Sequence, residues 1–231
     1  SEETIRRDLN QLENEGYLEK YYGGAILVKK YQSNPLVMPI HERQQHFYNE
    51  KALIGKKAAE LIQSEQTIIL DAGTTTWHVS SGIADKERLT IITNAMNIAE
   101  QCTKSESASI YLLGGKLRRN SLSTVGPQAE AELKKYNADY VFLGASGVSL
   151  KQGFTSSDLY EAEMKKAMVS AGQKRVVLAD HSKLQKTGLT TFCNFNDIDI
   201  FITSDLADKQ ALDVIKKTGI EVIVVPTNEE G

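Results

Sequence analysis

The chain has few residues that could cross-link it or hold a soft metal. Its two cysteines, Cys102 and Cys193, lie far apart and form no CxxC pair. That spacing argues against a disulfide framework and a zinc ribbon, and two lone thiols suit a reducing cytoplasm. The four histidines (His41, His46, His78 and His181) form no HxxxH or HExxH pair, so no metal site is expected. Positive charge is not in excess: 27 Lys and Arg against 30 Asp and Glu give a net charge of −3. This excludes attachment to nucleic acid or anionic lipid by bulk charge, but not a small local DNA-reading element. No apolar run approaches the ~18–20 residues of a membrane helix, so no membrane partner is expected. The opening SEETIRRDL has no apolar core and does not read as a signal peptide, and without an initiator Met a segment before Ser1 is expected to be missing. What is present is ordinary for a folded protein: 41% apolar and 25% charged residues. At ~150 residues per domain, 231 residues allow one large domain, or a medium domain with a small appendage.

The pattern divides near residue 30. Residues 2–15 read as a helix with Ile5, Leu9 and Leu12 on one stripe, Ser1 as N-cap and Gly16 as a stop. Two short strands, Tyr17 to Tyr21 and Ala25 to Val28, surround Gly23-Gly24 as a hairpin. A helix followed by a two-stranded wing is the second half of a winged helix-turn-helix, whose recognition helix enters the major groove. Thr4, Arg6 and Arg7 lie where base contact would occur: Arg can bridge guanine O6 and N7, and Thr can meet a thymine methyl. Lys20, Tyr22, Gly23 and Gly24 would touch phosphates at the wing. The same residues also suit an amphipathic helix packed on the main domain. Residues 1–30 hold five basic and six acidic side chains, so charge does not favour the DNA reading. From Lys29 the apolar period fades, with Pro35 and Pro39 as breakers, which reads as a linker.

Beyond residue 49 a helix (Glu50 to Ser64) precedes seven short apolar runs: 67–70, 89–93, 109–113, 140–144, 175–179, 198–203 and 222–225. Helical stretches separate most of them. Strands apolar on both faces that alternate with helices predict an α/β fold, a mostly parallel sheet with helices on both faces.

Polar loops gather where these strands end, and in open α/β sheets the ligand crevice lies at the strands' carboxyl ends. After the first run comes Asp71-Ala72-Gly73-Thr74-Thr75-Thr76, at a strand-to-helix turn. Free N–H groups, the helix dipole and three hydroxyls suit a phosphate there, although such a loop also makes a plain helix cap. The loop is neither GxxxxGK[ST] nor GxGxxG, so ATP and dinucleotide cofactors are not expected. Asn94, Gly114-Gly115 followed by Arg118 and Arg119, Gly144-Ala145-Ser146-Gly147 and Asp180-His181-Ser182-Lys183 follow later strands. Together they favour a small polar anion. In the last loop a carboxylate would accept from sugar hydroxyls and an ammonium would attract phosphate.

These residues resemble a known family. Ser1, Thr4, Ile5, Arg6, Arg7, Asp8, Leu9, Leu12, Gly16, Gly23, Gly24 and Ala25 fit the recognition helix and wing of DeoR-type bacterial transcription regulators. The resemblance implies two further helices before Ser1, a truncated DNA-binding domain over 1–28 and a linker over 29–40. Over 41–231 it implies an effector-binding and oligomerisation domain similar in fold to ribose-5-phosphate isomerase and glucosamine-6-phosphate deaminase. The matching positions there are Asp71 to Thr75, Thr93-Asn94, Leu113-Gly114-Gly115, Gly126, Gly144-Ala145, Gly147, Thr155, Lys165, Asp180 and Ser182-Lys183. Through the resemblance, Thr155 and Lys165 join the candidate effector site. The implied protein is a cytoplasmic homodimer or homotetramer that binds operator DNA, is usually a repressor, and responds to a phosphorylated sugar. The runner-up is a sugar-phosphate isomerase. The isomerases carry an acidic D-G-A-D stretch where this chain has Leu143-Gly144-Ala145-Ser146, so neither acidic position can supply a carboxylate base.

Overall fold

The structure is a computed structural model of the 231-residue chain and describes residues 2–14, 18–21, 24–27 and 40–227. The chain forms two compact units, Ser1–Met38 and Pro39–Gly231. In the first, helix α1 (Glu2–Asn14) precedes β1 (Leu18–Tyr21), which pairs antiparallel with β2 (Gly24–Leu27) from Leu18 opposite Leu27 to Tyr21 opposite Gly24. The helix and hairpin expected from the sequence are thus present. The apolar stripe of α1 is only partly covered in this chain: Leu9 is half-buried, whereas Ile5 and Leu12 are exposed.

The second unit opens with α2 (Ile40–Gln45) and α3 (Tyr48–Ala59). Then follow β3 (Thr67–Leu70), α4 (Thr74–Ser81), β4 (Thr90–Thr93), α5 (Met96–Cys102), β5 (Ser109–Leu112), the hairpin β6 (Lys116–Arg118) and β7 (Ser123–Val125), and α6 (Pro127–Leu133). The chain continues as β8 (Ala138–Gly144), β9 (Gly147–Ser149), β10 (Gly153–Ser156), α7 (Leu159–Ala171), β11 (Gly172–Leu178), β12 (Thr190–Cys193), β13 (Ile200–Ser204), α8 (Lys209–Lys216) and β14 (Glu221–Val225). Seven strands form one sheet in the order β14-β13-β11-β8-β3-β4-β5, every pairing parallel. A separate antiparallel sheet has the order β12-β10-β9.

The alternation of side chains along each strand builds two cores. Ile68, Leu70, Ile91, Phe142, Val176 and Ile202 face Ile54, Ala58, Val79 and Ile98 of α3, α4 and α5. Their neighbours Ile69, Ile92, Val141, Leu143, Val177 and Phe201 face Ala129, Leu133, Met164, Met168, Leu212 and Ile215 of α6, α7 and α8. Helices therefore cover both faces of the parallel sheet, as the apolar runs require.

The departures from expectation are local. The helix expected over 50–64 spans Tyr48–Ala59. Beyond it Gln63 N–H donates to Gln66 Oε1, Ser64 Oγ accepts from Glu87 N–H, and Glu65 adopts a positive φ of 69°. Such side-chain partners draw the backbone out of a helix. The linker expected over 29–40 lies outside the described residues except for Ile40, which opens α2. Five strands, β6, β7, β9, β10 and β12, have only three or four residues and no apolar run to reveal them.

The face carrying α3 and α4 is packed closely. A Cβ on Gly55 of α3 would lie 2.4 Å from His78 Cβ and 2.8 Å from the His78 carbonyl carbon of α4. Gly55→Ala is expected to cost about 1–3 kcal/mol through overpacking, read as a lower urea midpoint at unchanged m-value.

Candidate functional site at the switch point of the sheet

Strand order reverses between β3 and β8: β3, β4 and β5 run outward on one side, and β8, β11, β13 and β14 on the other. Ligand crevices of open α/β sheets form at the carboxyl end of such a reversal. Here that end is occupied by Asp71, one residue beyond β3, and Gly144, the last residue of β8. Asp71 N–H donates to Phe142 O (3.0 Å), and Asp71 Oδ2 accepts from Gly144 N–H (3.0 Å). Lys165 of α7 reaches the same point, pairing with Asp71 Oδ2 and donating to Gly144 O (2.9 Å). Both side chains are buried. Burial pushes the Asp71 carboxyl above the ordinary range, opposed by the Lys165 ammonium and the Gly144 N–H.

Helix α4 starts just beyond this knot. Its N-cap is Gly73, so no side chain caps the first turn, and the early N–H groups of Thr74, Thr75 and Thr76 face outward from the helix end. The Thr76 hydroxyl is committed to Asp71 O (2.7 Å) and Gly73 O (3.0 Å). Those of Thr74 and Thr75 make no hydrogen bond among the described residues. Asn94 stitches the same loop to its neighbours: its Oδ1 accepts from Ala72 N–H (3.2 Å), and its Nδ2 donates to Thr124 O (2.9 Å).

Two strand spacings away, about 10 Å, β11 ends near Asp180. This carboxylate is buried; its Oδ1 accepts from the N–H and hydroxyl of Ser182, while its Oδ2 has no partner. The Lys183 side chain is half-buried and makes no hydrogen bond or ion pair among the described residues. These residues form the turn of 3₁₀ helix that Asp180 caps.

The structure brings two further cations, Lys51 and Arg43, toward these groups, and it shows how Arg118 is held. Lys51 of α3 is buried, and its Nζ donates to Arg43 O of α2 (2.6 Å). Burial lowers its pKa to about 8, Asp180 holds its charge in place, and the Lys183 and Arg43 cations lower it further. Arg43 is half-buried; its Nε is enclosed without a partner, and the guanidinium makes no hydrogen bond or ion pair among the described residues. Burial lowers its pKa, the Glu161 and Asp71 carboxylates act the other way, and Arg118 adds to the lowering. Arg118 of β6 pairs with Asp158 (3.1 Å) and Glu161 at the start of α7, tying the β6–β7 hairpin to that helix. One signal of Lys51 was legible: it stands at i, i+3 and i+7 with Ile54 and Ala58, a charge on the buried stripe of its helix.

Glu50, Asp180 and His181 bring ligand-type atoms within 4.8 Å of one another. Hydrogen bonds account for Glu50: Oε1 accepts from His181 N–H (2.7 Å) and Ser204 Oγ (2.5 Å), and Oε2 lies 2.8 Å from His181 Nδ1. This is a hub that joins α3 to the ends of β11 and β13.

Other expected site residues are fixed in the framework. Gly114 N–H donates to Glu132 Oε2 (3.1 Å), and Gly115 holds a φ of 142° against Val125 O. Both follow β5, four strand spacings from β11, too far to share one small ligand with Asp180. The Thr155 hydroxyl lies fully buried in β10, donating to Gly147 O (2.9 Å) and accepting from Gly188 N–H (2.7 Å). Ser146 N–H donates to Thr155 O (2.9 Å), and a Cβ on Gly147 would lie 2.5 Å from Lys186 O. In the first unit Thr4 and Arg7 are exposed on α1, Arg6 lies in α1, Lys20 lies in β1 and Gly24 opens β2. Tyr22 and Gly23 lie outside the described residues.

The class is thus a parallel α/β ligand-binding unit preceded by a helix and wing. Residues 46–205 match the DeoR C terminal sensor domain, and residues 1–31 match the DeoR-like helix-turn-helix domain. The chain belongs to the DeoR family and is a DNA-binding transcriptional regulator. It is 33% identical to the HTH-type transcriptional regulator YulB of Bacillus subtilis (strain 168), over 100% of this chain and 88% of that protein. It is 32% identical to the HTH-type transcriptional repressor GlcR of the same organism, over 99% and 87%. A similar solved structure is ribose 5 phosphate isomerase A from Neisseria gonorrhoeae, at 16% identity and a TM-score of 0.43, covering 60% of this chain and 54% of that one. The curated relatives are regulators rather than enzymes. Leu143 is buried in the core, and Ser146 is half-buried beside Ser157. Among the described residues no helix is long and apolar enough to cross a membrane.

Lys165→Met leaves the Asp71 carboxylate buried without its cation and is expected to cost about 3–5 kcal/mol. Without the ammonium, the folded-state pKa of Asp71 rises further. The variant then holds a proton on Asp71 more tightly when folded, so the contribution of this carboxyl to stability is full in acid and is lost as pH rises above the ordinary Asp value. Urea unfolding as a function of pH would reveal a deficit that narrows at low pH.

Proposed function

We propose that the protein is a repressor of carbohydrate-metabolism genes controlled by a phosphorylated sugar, or a related metabolite, in the crevice between α4 and the Asp180–Lys183 turn. The observation that carries this reading is the uncapped first turn of α4, with the free hydroxyls of Thr74 and Thr75, which follows a strand two positions along the sheet from the one that leads to the unpartnered buried carboxylate oxygen of Asp180. The helix end and the cations Arg43, Lys51 and Lys183 suit phosphate; Asp180 suits sugar hydroxyls. The repressor GlcR, similar over nearly the whole chain, supports the direction of control. In this reading Thr4, Arg6 and Arg7 touch bases, while Lys20, Tyr22, Gly23 and Gly24 touch phosphates. Paired subunits, as a homodimer or homotetramer, read a repeated operator, since two-fold proteins read half-sites one helical turn or multiples apart.

A thermal-shift screen of phosphorylated sugars tests the proposal. A true effector at 100 times its dissociation constant adds about 2.7 kcal/mol of stability, and a screen without hits among sugar phosphates would count against it. Thr75→Asp places a carboxylate against the phosphate and is expected to abolish binding while the fold survives. Lys183→Ala is expected to weaken binding by about 1.5–3 kcal/mol, the range for a hydrogen bond to a charged group, measured by calorimetric titration. Lys51 adds a pH dependence. It is charged below about 8 and neutral above, so affinity for the anion should fall as pH rises through that value.

A further inference from the structure

Helix α2 is six residues long and is tied to the rest of its unit at both its start and its middle. Its first residue, Ile40, is buried and donates its N–H to Asn120 O (2.9 Å) in the β6–β7 hairpin, which Arg118 fastens to Asp158 and Glu161. Arg43 O accepts from the Lys51 ammonium, whose strongest charge-retaining neighbour is Asp180. The Arg43 guanidinium stands near Asp71, Glu161 and Arg118 without a hydrogen-bond acceptor of its own. The turn to α3 passes through Phe47, which has φ 55° and ψ 38°, a left-handed conformation unfavourable for a bulky side chain. Its ring packs edge-on against His181 at 4.8 Å, beside Asp180. In chain order α2 is the first described element after the wing, with residues 28–39 between them.

An anion at the α4 end would supply what these groups lack. Arg43 would gain an acceptor for its guanidinium, whose Nε is enclosed without a partner, and Lys51 would gain an alternative to Arg43 O. We propose that α2 is the transmitter of the sensor: occupancy of the crevice is read through Arg43 and Lys51 as a change in how α2 is held, and α2 passes it along the chain to the DNA-binding unit. The proposal rests on the anion site described above. It meets the requirement that a ligand shifts a conformation only through different interactions with its two states, because Arg43 has an acceptor in one state and none in the other. The strained Phe47 turn gives α2 a place to move.

Hydrogen–deuterium exchange on the whole chain, with and without millimolar inorganic phosphate, tests this. In wild type, phosphate is expected to slow exchange over residues 72–76 and over 40–47, the latter by about 5- to 150-fold, and to alter exchange in α1 and the wing. Arg43→Gln also loses one phosphate contact, so protection of 72–76 should need more phosphate; once that protection is regained, the responses at 40–47 and in the first unit should stay absent. Protection of 72–76 in wild type without any change at 40–47 would overturn the transmitter role and leave the anion site standing. A response at 40–47 that never reaches α1 or the wing would equally overturn it. No protection at 72–76 at any phosphate concentration would remove the anion site and the transmitter with it. The wild-type measurement decides between these outcomes even if Arg43→Gln does not fold.

Discussion

The sensor unit depends on one buried ion pair. Asp71 and Lys165 meet where strand order reverses, and together they take up both the N–H and the carbonyl of Gly144. A reversal point is where a parallel sheet is weakest as a packed object, because the chain leaves β3 and β8 toward opposite faces. Apolar side chains could fill the space but could not satisfy those backbone groups. A buried pair is poor evidence of net stability, since desolvation offsets much of the attraction. Its value here is positional. It joins the end of β3, the end of β8 and the middle of α7, fixing the floor against which α4 begins.

That floor separates two kinds of polar group. Asn94, Thr76, Thr155 and Glu50 have their hydrogen-bonding atoms paired within the fold, and they set distances between strands, helices and loops. Thr74, Thr75, Lys183, Arg43 and Asp180 Oδ2 have side-chain hydrogen-bonding capacity left over among the described residues. A chain with a net charge of −3 can still offer an anion site because field strength depends on local arrangement rather than the total. The Lys183 and Arg43 cations lower the affinity of Lys51 for its proton, and an anion relieves that repulsion.

Much was legible from the sequence alone. The seven apolar runs determined a parallel sheet with helices on both faces, because strands buried on both sides cannot alternate with polar residues. The loops Asp71 to Thr76 and Asp180 to Lys183 were visible as polar endings to apolar strands, and α1 with its wing followed from a helical period and a Gly-Gly turn. Only the tertiary structure decided which of those polar residues are paired within the fold. Thr74, Thr75 and Thr76 are neighbours of the same type, yet the third is turned onto Asp71 O and Gly73 O by helical geometry. Lys165 lies 94 residues from Asp71, and no local pattern announces their pairing. Arg43 and Glu50 come from elements whose short or mixed periodicity hides their direction. Periodicity reports the face a residue occupies on its own element; what it meets there depends on strand order, which the chain sets only when it folds.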